Sequence, residues 1–440
     1  MELHIGIDDT DSMKGGCTTY IAARLVEKIA RLRIPFIDYP NIIRLNPNIP
    51  YKTRGNAAVA LRLQIADESY NSILETVLQE IEENSQLGRA RTEPAAVFIR
   101  GSPTFEIRKF SDRALWDVLS EKEALKIVRG SHGEAAAYGA QLGLVGAMAA
   151  VGQTLKRDHT FELVAYRAKE NWGTPRRVDE GSVKRMDRST RPGTFNNYDY
   201  DHKRVLITPH GPDPVLLGIR GEDQQIVLRA FRMLIIHEPI ERWVTFRTNH
   251  GTEAHLQNHP TALGPNRPVV LMGSVESRAS RTPGGHVIFR LRHKGRTIHC
   301  AAYEPTGSFR ENIAKLIQGD KVTVFGAIRE PSGSLPLTVN LEKIHIDHLI
   351  EDIRFENPKC PRCRKHMKSA GRSQGFRCER CGMSAPRARK RAVRKQRKLR
   401  CGFYIPTPRA QRHLTKPYSR YGREKTSWDR SAPSGFWHSP

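Results

Sequence analysis

Apolar residues in the first third of the chain fall into two alternating rhythms. Leu3–Ile7 is a short apolar run of strand length, and Ala58–Ile65 and Val97–Arg100 repeat it. Between them, Thr18–Leu32 places Ile21, Ala22, Leu25, Val26, Ile29 and Leu32 on one helical face. Asp67–Glu83 does the same with Ile73, Leu74, Val77, Leu78 and Ile81, and a further helix is predicted around Arg113–Val128. This alternation argues for α/β or α+β up to about Gly152. A second series, Phe161–Arg167, Val205–Thr208, Gln225–Ile236 and Trp243–Thr248, has the order of a ferredoxin-like sandwich. From Pro268 to Asp347 the rhythm changes to five strands: Val269–Val275, His286–His293, Arg296–Tyr303, Lys321–Ile328 and Leu337–Ile346. One helix, Ser308–Gln318, sits between the third and fourth, which is the signature of an OB-fold barrel.

Three breaks interrupt these rhythms. Asn171–Asp201 reads as a long loop region, His259-Pro260 to Arg267-Pro268 as a linker, and Asn357-Pro358 as a third boundary. The expected organisation is a multidomain α+β chain with units at 1–155, 156–262, 266–350 and 356–385, and a basic, disordered tail at 386–440.

Charge narrows the partners. The 440 residues carry 72 Lys and Arg against 46 Asp and Glu, a formal net charge of +26. A compact enzyme with a small acidic substrate needs no such excess, so nucleic acid or an anionic surface is expected. More than half of the excess lies beyond Gly382, where only Glu424 and Asp429 oppose the basic residues. Apolar content there is too low to offset ordering entropy. Two readings stay open, a solvated tail and a tail ordered on RNA, with Phe403, Tyr404, Tyr418, Tyr421, Trp428 and Trp437 as stacking faces. An overall apolar share of 38% excludes global disorder. No apolar run approaches the ~20 residues of a membrane span, and Met1-Glu2-Leu3-His4 begins no signal peptide. A cytoplasmic protein with no membrane association is expected, and no obligate protein partner is evident.

Cys360-Pro-Arg-Cys363 and Cys378-Glu-Arg-Cys381 are the most specific metal signal. Two such knuckles bring four thiolates around one tetrahedral zinc, and four protein ligands make it structural. Arg362, Arg364, Lys365, Lys368, Arg372 and Arg380 surround them and suit an RNA-gripping knob.

The run Gly6-Ile7-Asp8-Asp9-Thr10-Asp11-Ser12 puts three carboxylates at a strand end, before a Gly15-Gly16 turn and a helix opening at Thr18-Thr19. Such carboxylates suit Mg²⁺ and nucleotide phosphates, and a helix N-terminus favours anions. The alternative is an Asx-turn with a helix cap. No Walker-type lysine motif occurs, which disfavours an ordinary P-loop ATPase. In the loop Arg44–Asn56, Lys52 and Arg54 are placed to neutralise phosphate, and Gly55 permits close approach; a plain Pro-rich connection is the other reading. Gly143, Gly146, Ala147 and Ala150 share a helical face that suits close helix packing or ligand contact. Phe195–Asp199, Pro209–Pro212 and Gly218–Glu222 read as loops with a binding role. The barrel offers Phe289, Arg290, Arg292, Tyr303 and Phe325 for stacking or phosphate contact.

Taken in order, the Gly6–Ser12 run before Cys17-Thr18-Thr19, the Arg44–Asn56 loop, Gly143–Ala147, Gly218–Glu222 with Thr248-Asn249-His250, a barrel and a four-cysteine ribbon resemble one archaeal family, the tRNA-isoleucine 2-agmatinylcytidine synthetases (TiaS). The resemblance covers roughly residues 1–381. It implies a kinase-like α/β domain at 1–155, a ferredoxin-like domain at 156–262, an OB-fold and a zinc ribbon. It implies ATP, Mg²⁺ and structural Zn²⁺ as cofactors, agmatine as substrate, and the CAU-anticodon isoleucine tRNA as target. By this resemblance Asp8, Asp9 and Asp11 are the catalytic and magnesium-binding carboxylates, and Thr18 matches the threonine that the family autophosphorylates. Gly15, Gly16, Lys52, Arg54, Gly55 and Asn56 are then candidates for nucleotide and phosphate. Gly143, Gly146, Asn197, Asp199, Arg220 and Glu222 are candidates for agmatine. Leu142, where the family has arginine, and Asp213, where it has cysteine, depart from the pattern. The competing readings are a non-catalytic single-strand-binding protein and the same ligase chemistry with another amine.

Overall fold

The computed structural model describes the chain except residues 13, 51, 53, 54, 89–91, 257–262, 332–335, 429–432 and 440. Arg54 and the start of the expected linker at His259-Pro260 therefore lie outside the described residues.

The first unit is built from β1 (Glu2–Asp8), β2 (Asn41–Arg44), β3 (Ala57–Gln64), β4 (Ala95–Arg100) and β5 (Glu134–Ala137). Five helices cover them: α1 (Thr18–Arg31), α2 (Tyr70–Asn84), α3 (Phe105–Ala114), α4 (Glu121–Gly130) and α5 (Gly143–Gly152). Side chains alternate along β1. Leu3, Ile5 and Ile7 join the core under α1 and α2, while Gly6 and Asp8 face α5, whose apolar residues join the core of α3 and α4.

Strand β1 and helix α5 meet backbone to side chain with nothing between them. A Cβ on Gly6 would fall 1.9 Å from the Ala147 carbonyl oxygen, and one on Gly146 would fall 1.7 Å from Asp8 Oδ2. The sequence reading of close helix packing at Gly143 and Gly146 is what this contact uses. The carboxyl end of α5 is closed by buried Arg62, which donates to the carbonyls of Ala150, Val151 and Gln153 at 3.2, 3.0 and 2.7 Å.

The second unit comprises β6 (Thr160–Arg167), β7 (Thr194–Phe195), β8 (Val215–Gly221) and β9 (Ile240–Thr248), with α6 (Glu180–Thr190) and α7 (Gln224–Arg232) on one face. The two units share one sheet, in the order β5-β4-β1-β3-β2-β9-β6-β8-β7. Its seam is the parallel pair β2–β9, with Asn41 opposite Arg247 and Ile42 opposite Thr248. Buried Arg247 crosses the seam, donating to Asp38 Oδ2 at 2.5 Å and to the Thr154 carbonyl at 3.0 Å.

Three local expectations differ from what is found. The helix around Arg113–Val128 is two helices, because Ser120 caps a new start by accepting from the Glu123 amide at 3.3 Å. The supposed loop Asn171–Asp201 contains α6, capped by Asp179 and buried through only Val183 and Met186 among its apolar residues. Gly218–Gly221 belongs to a buried strand, not a loop. Gly221 is used there for close contact, since a Cβ would meet the Gly193 carbonyl at 2.8 Å.

The barrel is formed by β10 (Pro268–Val275), β11 (Val287–His293), β12 (Arg296–Ala302), β13 (Lys321–Arg329) and β14 (Thr338–His348), with α8 (Ser308–Ile313) after β12. It closes through β10–β13, β13–β14, β14–β12, β12–β11 and β11–β10 pairing. Phe289 points into its core, whereas Arg290 and Arg292 point out toward Glu276. Strands β15 (Asp352–Glu356) and β16 (Arg391–Lys395) pair and carry the cysteine ribbon between them.

The expected disordered tail is instead packed along the body. Part of its basic cluster forms β16, and β17 (Gly402–Tyr404) adds to β14 of the barrel. Farther on, β18 (Trp437–His438) pairs with β9, and Phe436 enters the main core. Arg420 is fully buried and makes five hydrogen bonds to Asp158, Glu222 and the Gly251 carbonyl at 2.8–3.3 Å. Low apolar content misleads here because charge-assisted bonds to waiting carboxylates offset the ordering entropy.

Gly6→Ala should destabilise the chain by about 1–3 kcal/mol, since the new methyl has no room against α5. Urea unfolding followed by circular dichroism measures this, and an unshifted midpoint would show that α5 can move away.

Candidate functional site

A cavity of about 570 Å³ opens where the carboxyl end of β1, the Arg44–Asn56 loop, the second unit and the C-terminal segment meet. One wall is acidic. Asp8 ends β1, Asp9 adopts a left-handed backbone at φ 57°, and Asp11 follows at the cavity lining. Asp9 Oδ2 accepts from the Glu93 amide at 2.9 Å, and Glu93 Oε2 accepts from the Leu142 amide at the N-terminus of α5 at 3.1 Å. Enclosure against α5 pushes the Asp8 carboxyl well above its ordinary range, and the neighbouring charges of Asp9 and Asp11 add to that. Such a cluster favours a proton or a cation.

Helix α1 begins beside it. Cys17 holds the cap position without a side-chain bond to the first turn, so the alternative of a simple Ser/Thr cap is not what forms. Cys17, Thr18 and Thr19 line the cavity, and Thr18 Oγ1 lies 3.0 Å from Thr10 Oγ1. Gly15 and Gly16 shape the turn before the helix. The Ser12 amide donates to the Gly15 carbonyl at 2.8 Å, and Gly16 takes φ 78° with no space for a Cβ between Gln86 and Thr10. Neither glycine lines the cavity.

The opposite wall is basic and built on one buried carboxylate. Glu162, on β6, faces Arg220 Nε at 3.0 Å, Arg44 Nη2 at 3.5 Å and His250 Nδ1 at 3.6 Å. Burial acts to raise its pKa, but Arg220, His250 and Arg44 together hold it well below the usual range. His250 is pushed down to about 4, by burial and then by Arg220, so it is neutral at pH 7. His413, from the C-terminal segment, packs edge-on to His250 with ring centroids 5.1 Å apart. The charge of Arg44, with burial, keeps it far below its ordinary value too.

The C-terminal segment completes the enclosure. Gln411 Oε1 accepts from Asn196 Nδ2 at 2.9 Å, and Arg412 bonds Asn48 and lies 3.4 Å from Glu342 of the barrel. The residues expected from sequence divide accordingly. Asp8, Asp9, Asp11, Thr18, Lys52, Gly55, Asn56, Gly146 and Arg220 line the cavity. Gly143 packs under Glu93, whose carbonyl would be 2.4 Å from a Cβ there. Asn197 bonds Asp187 and Thr194, Asp199 holds the turn at His202, and Glu222 is taken up by Arg420. These last three are away from the cavity lining. Leu142 and Asp213 do line it, with Asp213 Oδ1 3.4 Å from Arg176.

Sequence reasoning missed Glu162, Glu93, Arg412 and His413 and gave Arg44 no role. A lone glutamate inside the apolar run Phe161–Arg167 was the available signal for the first. Nothing local marks His413.

Away from the cavity, the four ribbon cysteines offer sulfurs within 4.8 Å of one another, with Cys360–Cys381 at 3.5 Å and Cys363–Cys378 at 3.4 Å. That donor set and spacing fit one tetrahedral ion.

Family models match three stretches of the chain: the TiaS TCKD domain at residues 4–69, the TiaS FLD domain at 141–255 and the TiaS C-terminal zinc ribbon domain at 357–399. A tRNA 2-agmatinylcytidine synthetase TiaS from Staphylothermus marinus, specific by its name for a minor isoleucine tRNA, is 40% identical, with 99% of this chain and 98% of that protein aligned. The chain belongs to the TiaS family. The TiaS protein of Methanosarcina mazei is 42% identical over 95% of this chain and 97% of its own length. Among solved structures, a complex of TiaS with its isoleucine tRNA and ATP matches with TM-score 0.86 at 38% identity, covering 99% of this chain and all of that one. A complex of TiaS with the same tRNA, AMPCPP and agmatine matches with TM-score 0.84 at 36% identity and the same coverage.

Two outcomes follow for this TiaS chain. In buffer free of divalent ions, Asp8→Asn should raise the Tm at pH 7 by about 2–4 °C, the shift that ~1 kcal/mol makes in domains of 150–250 residues. It removes a charge that the fold disfavours, so an unchanged or lower Tm in calorimetry counts against the raised pKa. Cys378→Ser should abolish stoichiometric zinc by elemental analysis while leaving the circular dichroism of the main sheet intact; full zinc retention would mean another ligand set.

Proposed function

We infer that this chain is an ATP-dependent ligase that attaches agmatine to C2 of the wobble cytidine of the CAU-anticodon isoleucine tRNA, through phosphoryl activation of the C2 oxygen. The observation that carries this is the cavity itself: an acidic wall at a strand end and a basic wall face each other across a space large enough for a nucleotide. On this reading residues 1–155 are a kinase-like catalytic domain, 156–262 a ferredoxin-like domain, 266–350 an OB-fold and 356–385 a zinc ribbon.

The chemistry follows from what the groups can do. The cytidine C2 oxygen belongs to a urea-like carbonyl and leaves poorly. Phosphoryl transfer onto it makes a leaving group that the amine displaces at C2, and the oxygen departs with the phosphate. Such transfer asks for positioning and charge neutralisation. Asp8, Asp9 and Asp11 fit a hard divalent cation, and magnesium bound there neutralises the phosphate oxygens. The N-terminus of α1, whose cap forms no side-chain bond, favours the same phosphates. Lys52 stands on the cavity rim, with Gly55 and Asn56 shaping the loop beside it. Thr18, at that N-terminus, is placed to accept a phosphoryl group as the family resemblance implies. The amine, with an unperturbed pKa near ~10.4, must lose a proton, and enclosure beside a carboxylate assists. Extruding the target base costs a few kcal/mol, which contacts of the barrel, ribbon and basic surface with the tRNA offset.

Asp9→Ala should abolish ATP-dependent attachment of agmatine to tRNA while leaving tRNA affinity within a few-fold. Mass analysis of the modified nucleoside after incubation with agmatine, lysine or a longer polyamine reads both activity and amine identity. Full activity in the variant removes the catalytic assignment, and a product carrying another amine corrects the substrate.

A further inference from the structure

The stretch from Ile405 to Lys425 lies as a strap along the cavity and is fixed at both flanks. Upstream it continues from the barrel strand β17. Downstream, Arg420 is locked into Asp158 and Glu222, and Lys425 Nζ donates to the His159 carbonyl at 2.8 Å. Between these anchors the turn Pro408–Ala410 is held by the Ala410 amide on the Thr407 carbonyl at 2.8 Å and by Gln411 Nε2 on the Pro406 carbonyl at 3.0 Å. The strap is thus a fixed wall presenting positive charge.

Its cations differ in what they already bind. Across the cavity, Arg44 and Arg220 are committed to Glu162, and on the strap Arg412 is committed to Asn48 and Glu342. Arg409 is exposed, lines the cavity, and has no ion pair or hydrogen bond among the described residues. Lys52 shares the rim, bonding only the Pro47 carbonyl. A guanidinium on a proline-stiffened turn forks onto phosphate oxygens with little loss of freedom.

We propose that Arg409 is a phosphate-binding residue of this site, presented by the strap to a phosphate of the RNA backbone beside the target nucleotide or to the triphosphate. The inference rests on the reading of the cavity as acting on tRNA with ATP. The backbone is the favoured source, because the acidic wall and the α1 N-terminus already provide for a triphosphate, whereas Arg409 shares the lining with Asn196, Ile207 and Pro209 of the second unit.

The test uses the full chain with Arg409→Ala and Arg409→Lys, measuring tRNA affinity across salt concentrations and the KM for ATP. Both variants should fold, since the side chain is exposed. If the phosphate is RNA, Arg409→Ala weakens tRNA about tenfold and lowers the log–log salt slope by about 0.7–0.9, with the ATP KM unchanged. If it is the triphosphate, the ATP KM rises about tenfold and the salt slope stays. In either case Arg409→Lys keeps the charge and recovers part of the loss. Wild-type values for both quantities, or a lysine variant as impaired as alanine, would overturn the assignment. Wild-type turnover separately reports on the ligase reading, because RNA and nucleotide binding can each be measured without it.

Discussion

Everything at the acidic end depends on how closely α5 is seated on β1. Gly6 and Gly146 remove the side chains that normally separate a helix from a strand, so the Asp8 carboxyl is left directly against a helix backbone. Arg62 ties the other end of that helix to the sheet through three carbonyls. The seating is rigid because it is steric, and rigidity is what allows three carboxylates to be held together against their mutual repulsion. The strain appears as the raised pKa of Asp8. Stability is given up at one point so that a cation finds its ligands already in place.

The cavity has no single owner. Its acidic wall comes from the first unit, its buried Glu162 cluster from the second, and its remaining side from a segment that follows the barrel and ribbon. The parallel β2–β9 pair makes the first two walls one rigid surface, and Arg247 with Asp38 closes the seam beneath. Around Glu162, two arginines keep two histidines neutral. That wall therefore holds its charge pattern across the physiological pH range.

Periodicity placed β1, α1, α2, β3 and the five barrel strands within a few residues, because each has a clean apolar face. It failed where burial is achieved by other means. Helix α6 relies on a cap and two apolar residues, and β8 carries two glycines that only tertiary contact explains. The Asp8–Asp11 run and the four cysteines were visible because their ligands are close in sequence. Glu162, Arg412 and His413 were not, because their partners lie far away: Arg412 meets Asn48 across 364 residues. The strap was misread for the same reason, since the carboxylates that order it belong to β6's approach and to the turn before α7.

That separation governs how the molecule assembles. Arg420 reaches Asp158 across 262 residues, so the latch can form only after both α/β units, the barrel and the ribbon have been made. During synthesis the acidic pocket exists first as an open shelf, able to gather nucleotide but lacking the side that faces it. Closure of the longest loop in the protein thus acts as a proofreading step on biogenesis, since a chain interrupted before the strap is a half-built enzyme rather than a weak one.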